Sequence, residues 1–537
     1  MTSTFAGCDI RRLSAPPLLA FDEADLGLYG YSAWSPRRIA STMHRPMDMA
    51  LVPGDWILHG TGTWNQRPVT FFASSAVGCL PVFVTTDANG TAIHGVDLID
   101  VVRRSGRPWR WDARTLTSLF VAEHGFGIGT LHEDVVRLPE TSVLVIDDGG
   151  GMHLWHAPVW QQWVDANDQV GNNGRPAMAA LREAITDALD GQPVIPLSAG
   201  FDSRVILAQL LALGQRPHCL TLGPDGHPDV ETARTITRDL GLGWERIELS
   251  VADCTAHMSD AVRCTGGMAN LRNLQFFFML RKARIPAGGR IFCGINGEQS
   301  RSWMLGKGNL WGRLANAWRL DNAGSLLRRK FKAGHGAVRH LPALPIPGAP
   351  PVGELPQWMR AWHGLRGPLV SSAEHIYSTA RVRHFMGPHL AAFNSVAPTA
   401  SPYLDGRWVK AVLGMQMRNK MGNRHMRHTL MQLDARLAGY SLNGGPPASQ
   451  SPTLASLFSK SRWRSYHPLS DWLRQADTLA MLYESPGLRR MFPDAFLRKA
   501  GNHFRLAAFL APLHYLDEHA RAAGIAMPDW SGAFPGR

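Results

Sequence analysis

Cysteine is sparse and unpaired in this chain. Six occur in 537 residues, at Cys8, Cys79, Cys219, Cys254, Cys264 and Cys293, and no two form a C-x-x-C pair. That spacing argues against zinc ribbons and redox dithiols. Thiols scattered through apolar segments suit a reducing compartment. Long hydrophobic runs are missing as well. No stretch reaches the roughly 18 uncharged apolar residues of a membrane helix. Met1–Phe5 shows no basic patch followed by an apolar core, so no secretory signal and no membrane span are expected. The expected location is cytoplasmic. There is no internal repeat and no arginine-rich run with interleaved aromatics. Acidic residues are the minority charge, 43 against 56 Lys and Arg, which leaves a formal net charge of +13. Such a balance admits an anionic partner. Without a recognition strip the basic surface reads as solvated, and no nucleic-acid partner is expected.

What is present divides the chain by pattern. Residues 1–160 carry short β-like runs broken by turns, among them Asp55–His59, Val69–Ala73, Val82–Thr85 and Ser142–Ile146. Asp87-Ala88-Asn89-Gly90 and Asp147-Asp148-Gly149-Gly150-Gly151 read as turns. Arg114–His124 has helical spacing, so this half reads as an α+β sandwich. Residues 175–250 alternate helix and strand. A helix through Leu189 precedes a strand at 193–197, a helix at Ser203–Leu213, a strand at Cys219–Leu222, a helix at Val230–Leu240 and a strand at Glu245–Leu249. That alternation predicts a parallel sheet covered on both faces, with ligands at the carboxyl ends of its strands. Residues 307–339 are basic and 341–356 proline-rich; 357–537 read mainly as helices, including Arg407–Met417 and Leu506–His519.

The stretch most suited to chemistry is Pro193-Val-Ile-Pro-Leu-Ser198-Ala199-Gly200-Phe201-Asp202-Ser203-Arg204. A buried strand ends in small residues and a helix begins at once. Small residues let backbone N–H groups approach phosphate oxygens, and the helix turns its positive end toward the same anion. Ser198 and Ser203 add hydroxyls, and Asp202 can hold a cation that neutralises phosphate. No Gly-Lys-Ser/Thr is present, so this is not a Walker loop.

The segment resembles the S-G-G-x-D-S pyrophosphate loop of the asparagine synthetase and β-lactam synthetase family, with Ala199 in place of one glycine. Three further segments follow in family order. Asp229-Val-Glu231-Thr-Ala233 resembles an acidic D-E-x-x-x-A stretch. Ile291-Phe-Cys-Gly294-Ile-Asn-Gly-Glu298-Gln resembles a strand followed by G-x-G-x-D-E. Pro402-Tyr-Leu-Asp405 resembles P-F-L-D. The resemblance implies an α/β protein with two parts: residues 1–165, a degenerate glutamine-amidotransferase-like sandwich, and residues 170–537, a parallel-sheet ATP-binding synthetase domain with helical additions. It implies ATP and Mg2+ as cofactors. Ser198, Ala199, Gly200, Phe201, Asp202, Ser203, Leu222 and Gly294 would form the ATP and pyrophosphate site, with Asp202 and Glu298 as metal ligands.

Ser75–Phe83 and Thr130–Pro139 resemble a turn-and-strand and a T-l-x-x-g-V-x-x-L-P segment of the amidotransferase part. A glutaminase there needs a cysteine directly after the initiator methionine; this chain has Thr2. Glutaminase activity is therefore not expected. The resemblance then implies an AMP-forming amide synthetase whose amine belongs to the substrate, as in ring closure by lasso-peptide cyclases. A precursor peptide and its leader-processing proteins would be partners. Alternatives are an asparagine-synthase-related protein of glycan assembly, a tRNA-modifying relative and an inactive nucleotide-binding scaffold. Two family positions depart. Pro398 stands where a glutamate is usual, and Gly439–Pro446 has no lysine, with Lys420 and Lys460 nearby but out of spacing. The catalytic acid/base stays unassigned. Asp229, Glu231 and Asp405 also read as helix-start acids, and His425 and His428 as a basic helix surface.

Overall fold

The computed structural model describes residues 3–5, 8–21, 23–157, 159–160, 162–163, 173–271, 274–301, 344–349, 374, 377–442, 445–450, 466–501, 504–530 and 533. The basic stretch 307–339, most of the proline-rich segment and Lys460 lie outside these. The protein is α/β, with a mostly antiparallel sandwich, in which β11 and β2 pair in parallel, and a fully parallel sheet.

The first sheet is built from β1 (Ser3–Phe5), β2 (Cys8–Arg12), β3 (Ala20–Phe21), β4 (Gly27–Tyr31), β5 (Asp55–Trp64) and β6 (Arg67–Ser74). The second holds β7 (Phe83–Thr86), β8 (Ala92–Gly95) and β9 (Val136–Arg137). β10 (Ser142–Asp147) and β11 (Met152–His156) return to the first, whose order is β1-β2-β11-β10-β6-β5-β3 with β4 also on β5. Side chains alternate across a strand, and β10 uses both faces. Leu144 and Ile146 point into a core shared with Val84, Val136 and Leu138 of the small sheet. Val143 and Val145 join the main core on the other side. The turn at Asp87–Gly90 links β7 and β8 as expected, with the Asp87 carboxylate accepting from the Asn89 and Thr91 amides.

The parallel sheet comprises β12 (Pro193–Pro196), β13 (His218–Leu222), β14 (Trp244–Ile247), β15 (Arg290–Phe292) and β16 (Thr399–Ala400). Its order is β14-β13-β12-β15-β16, every pair parallel. Val194, Ile195, Cys219, Leu220 and Ile291 have no exposure, because helices pack on the sheet. Helix Arg175–Asp187 lies against Gly406–Leu413, and Phe201–Ala212 against Arg424–Leu433. The helix expected over 407–417 is shorter, ending at Gly414, and a separate turn of helix starts at Met417.

Two buried arginines tie the sandwich to the segment Tyr377–Met386. Arg137 donates through Nη2 to the carbonyls of Cys79 (2.7 Å) and Arg383 (3.0 Å). Arg383 returns Nη2 to Arg137 O at 3.0 Å and Leu138 O at 2.5 Å. No described helix is long and apolar enough to cross a membrane.

Candidate functional site

The carboxyl ends of β12, β13, β15 and β16 lie side by side, so the four segments singled out in the sequence meet at one edge. β12 runs through Leu197 into the loop Ser198–Gly200, and Gly200 caps the helix Phe201–Ala212. The two serines shape this loop. Ser198 N donates to Ser203 Oγ (3.1 Å), the two hydroxyls stand 3.2 Å apart, and Gly200 N donates to Ser198 Oγ (3.2 Å). Ala199 N donates to Asp229 Oδ1 at 2.7 Å. Asp229, in the first turn of helix Pro228–Leu240, thus reaches the loop as well as facing its own helix dipole. Leu222 ends β13 beside the loop strand, 8 % exposed.

Arg204, which motif reading leaves without a role, is fully buried and stitches the loop in place. Its guanidinium donates to the carbonyls of Ala199, Gly200, Leu437, Tyr440 and Ser441. Burial lowers its pKa to about 10. The 437–441 segment, where the lysine is missing, therefore closes over the back of the loop.

Asp202 sits in the first turn of the helix. Its Oδ2 receives Arg301 Nη2 at 2.5 Å, while Oδ1 is buried with no hydrogen-bond partner among the described residues. Burial pushes the carboxyl pKa up; Arg301 opposes this and Glu298 adds to it. The turn after β15 presses against the same side chain. A Cβ on Gly294 would stand 3.1 Å from Asp202 Cβ, and one on Gly297 2.6 Å from Asp202 Cγ. At Gly297 a side chain would force Asp202 to shift, and at Gly294 it would fit only tightly. Asn296, at φ +75°, turns the chain and donates through Nδ2 to Tyr403 O (2.7 Å), while Tyr403 Oη donates to Asp202 O (2.9 Å). Glu298 Oε1 accepts from Tyr377 Oη (2.8 Å) and lies 3.5 Å from Arg381 Nε.

Behind this cluster is a buried ion pair, Lys420 Nζ to Glu374 Oε1 at 3.3 Å. Ser378 connects it to the Glu298 turn, donating to Glu374 O (2.9 Å) and accepting from Gln299 Nε2 (2.8 Å). Residues 421–423 pack on 297–301.

Other candidates fall elsewhere. Asp405 is a helix cap, accepting from Arg407 N at 2.9 Å and paired with its guanidinium. Pro398 offers only its carbonyl, to Ile291 N. His428 is exposed as expected for a basic helix surface, but His425 is buried and neutral, its pKa lowered to about 4 by burial. The two do not share a site, because three residues along the helix they fall on either side of the buried boundary.

The donor set at Asp202 and Glu298 suits a hard cation. Magnesium takes one or two carboxylates and completes its shell with water and phosphate oxygens. Oδ1 of Asp202, without a hydrogen-bond partner among the described residues, has the chemistry of such a donor, and among the described residues no group of three or more His, Cys, Asp or Glu forms an all-protein cage.

Residues 178–437 match the family model for asparagine synthase. A comparison with curated proteins returns no match.

Proposed function

Starting from residues 178–437 as a member of the asparagine synthase family, and so as part of an ATP-dependent amide-forming ligase in general terms, we propose an AMP-forming synthetase that uses the Asp202 edge for Mg-ATP. The observation that carries this is the half-paired Asp202 facing Glu298 at the foot of the Ser198 loop. A substrate carboxylate oxygen attacks the α-phosphorus and pyrophosphate leaves. An amine nitrogen then attacks the acyl carbon, AMP leaves, and the amine gives up a proton. Asp202 and Glu298 would hold a magnesium ion, which when bound would supply positive charge to offset that of the departing pyrophosphate.

The chain's own residues do the rest. The Ser198–Ser203 loop and the start of its helix receive the pyrophosphate. Gly294 and Gly297 let the β15 turn come close enough to bring the two carboxylates together. Leu222 offers an apolar wall for the base. Lys420, held by Glu374, is a buried cation that Ser378 and Gln299 link to the Glu298 turn. It takes the part of the lysine missing from 439–446, stabilising developing negative charge.

In this reading residues 170–537 are the synthetase part and residues 1–165 an amidotransferase-like platform without glutaminase. The amine comes from the substrate, and the reaction closes a ring on a peptide or other natural product in the manner of a lasso-peptide cyclase. Pyrophosphate release tests the reading. Release that depends on both Mg2+ and a carboxylate substrate, and is lost in Asp202→Ala, supports it. Undiminished turnover by Asp202→Ala overturns it.

A further inference from the structure

Asp202 and Arg301 are 99 residues apart in sequence and meet at the centre of the site. Each is only half used. Among the described residues, Asp202 Oδ1 and the buried Arg301 Nε have no hydrogen-bond partner. Their side chains retain 25 % and 28 % exposure, so the pair opens to solvent on one side. Glu298 has a second cation, Arg381, 3.5 Å away. The two acids and two arginines therefore cancel.

That neutrality has consequences for what binds. A divalent cation arriving alone meets carboxylates already neutralised by guanidinium groups. A polyphosphate arriving alone meets two arginines, whose planar forks match phosphate oxygens. We propose that Arg301 is a resident counter-ion of this site: it holds Asp202 while the site is empty and passes to phosphate when a nucleotide enters, freeing Oδ2 for the metal. This rests on the nucleotide-site reading above and extends it, making Arg301 a positioning residue that couples metal entry to phosphate entry. The coupling is reciprocal. Phosphate draws Arg301 off the carboxylate and raises metal affinity, and metal on Asp202 releases Arg301 to the phosphate.

The test uses the full chain with two simple probes. Free Mn2+ is titrated and followed by electron paramagnetic resonance. Tripolyphosphate is titrated in EDTA and followed by calorimetry. Arg301→Gln is expected to bind Mn2+ alone about five- to tenfold more tightly than wild type, and tripolyphosphate about five- to tenfold more weakly. Arg301→Lys, which keeps the charge and loses the fork, falls between. A residue with only a structural part moves both affinities the same way or neither, and either result overturns the proposal. Absence of Mn2+ binding by both wild type and Arg301→Gln overturns it too. If Arg301→Gln melts early, Arg301→Lys decides by the same criterion of opposite signs. The nucleotide reading fails separately, if Asp202→Asn binds a non-hydrolysable ATP analogue with Mg2+ as tightly as wild type does.

Discussion

Replacing Asp202 by alanine removes the carboxylate on which the β15 turn and Arg301 converge. Pyrophosphate release should fall about 10²-fold or more, the range seen when a charge-stabilising group is lost. Gly297→Ala approaches the same carboxylate by another route. Its methyl would sit 2.6 Å from Asp202 Cγ, so the acid must swing away from Glu298. Nucleotide binding should weaken while the melting temperature changes little, measured by calorimetry and by thermal denaturation. Arg204→Met should lower stability as well as loosen the loop. It leaves five carbonyls without their donor, and about 3–5 kcal/mol of stability should be lost in a denaturant titration.

These residues differ in how far the sequence announces them. Ser198–Ser203 are legible because their meaning is local: strand, small-residue turn and helix follow within a dozen positions. Gly294 and Glu298 are legible from order along the chain. Arg301, Tyr377 and the Lys420–Glu374 pair are not, since each finds its partner across tens of residues through the packing of separate elements. Gly439–Pro446 has no lysine, and Lys420 ends the short helix before residues 421–423. The hydroxyls of Ser198 and Ser203 also read differently in three dimensions, bonding to the loop's own backbone and to each other.

At the scale of elements, strands and helices of the parallel sheet fall within a few residues of their sequence-based limits, because continuous apolar runs and helical periodicity are strong signals. The crossing of helix Gly406–Leu413 over the sandwich is set by contact alone. A Cβ on Gly406 would land on the Ala50 carbonyl oxygen and 3.0 Å from Ala76 Cβ. Gly406→Ala should therefore lower stability by about 1–3 kcal/mol through overpacking, read as a shifted denaturation midpoint with an unchanged slope.

For the whole molecule, three buried histidines contribute to the response to acid. His132, His389 and His425 are buried, and burial lowers each pKa to about 4. In the unfolded chain an imidazole titrates near 6.5. The unfolded state then takes up these protons first as pH falls. Their neutral-state stabilisation is complete above about pH 6.5 and is lost between about 6.5 and 4, at about 1.4 kcal/mol per pH unit per group. Melting temperature against pH should fall across that window, and His425→Gln should flatten the slope. The reciprocal arginines at 137 and 383 carry a further consequence. Arg137 caps the Arg383 carbonyl and Arg383 those of Arg137 and Leu138 across the junction, so neither side can come apart without stranding the other's buried polar groups. Heating in a calorimeter should produce one endotherm rather than two, and a fragment ending before residue 377 should be recovered from cells only as insoluble material.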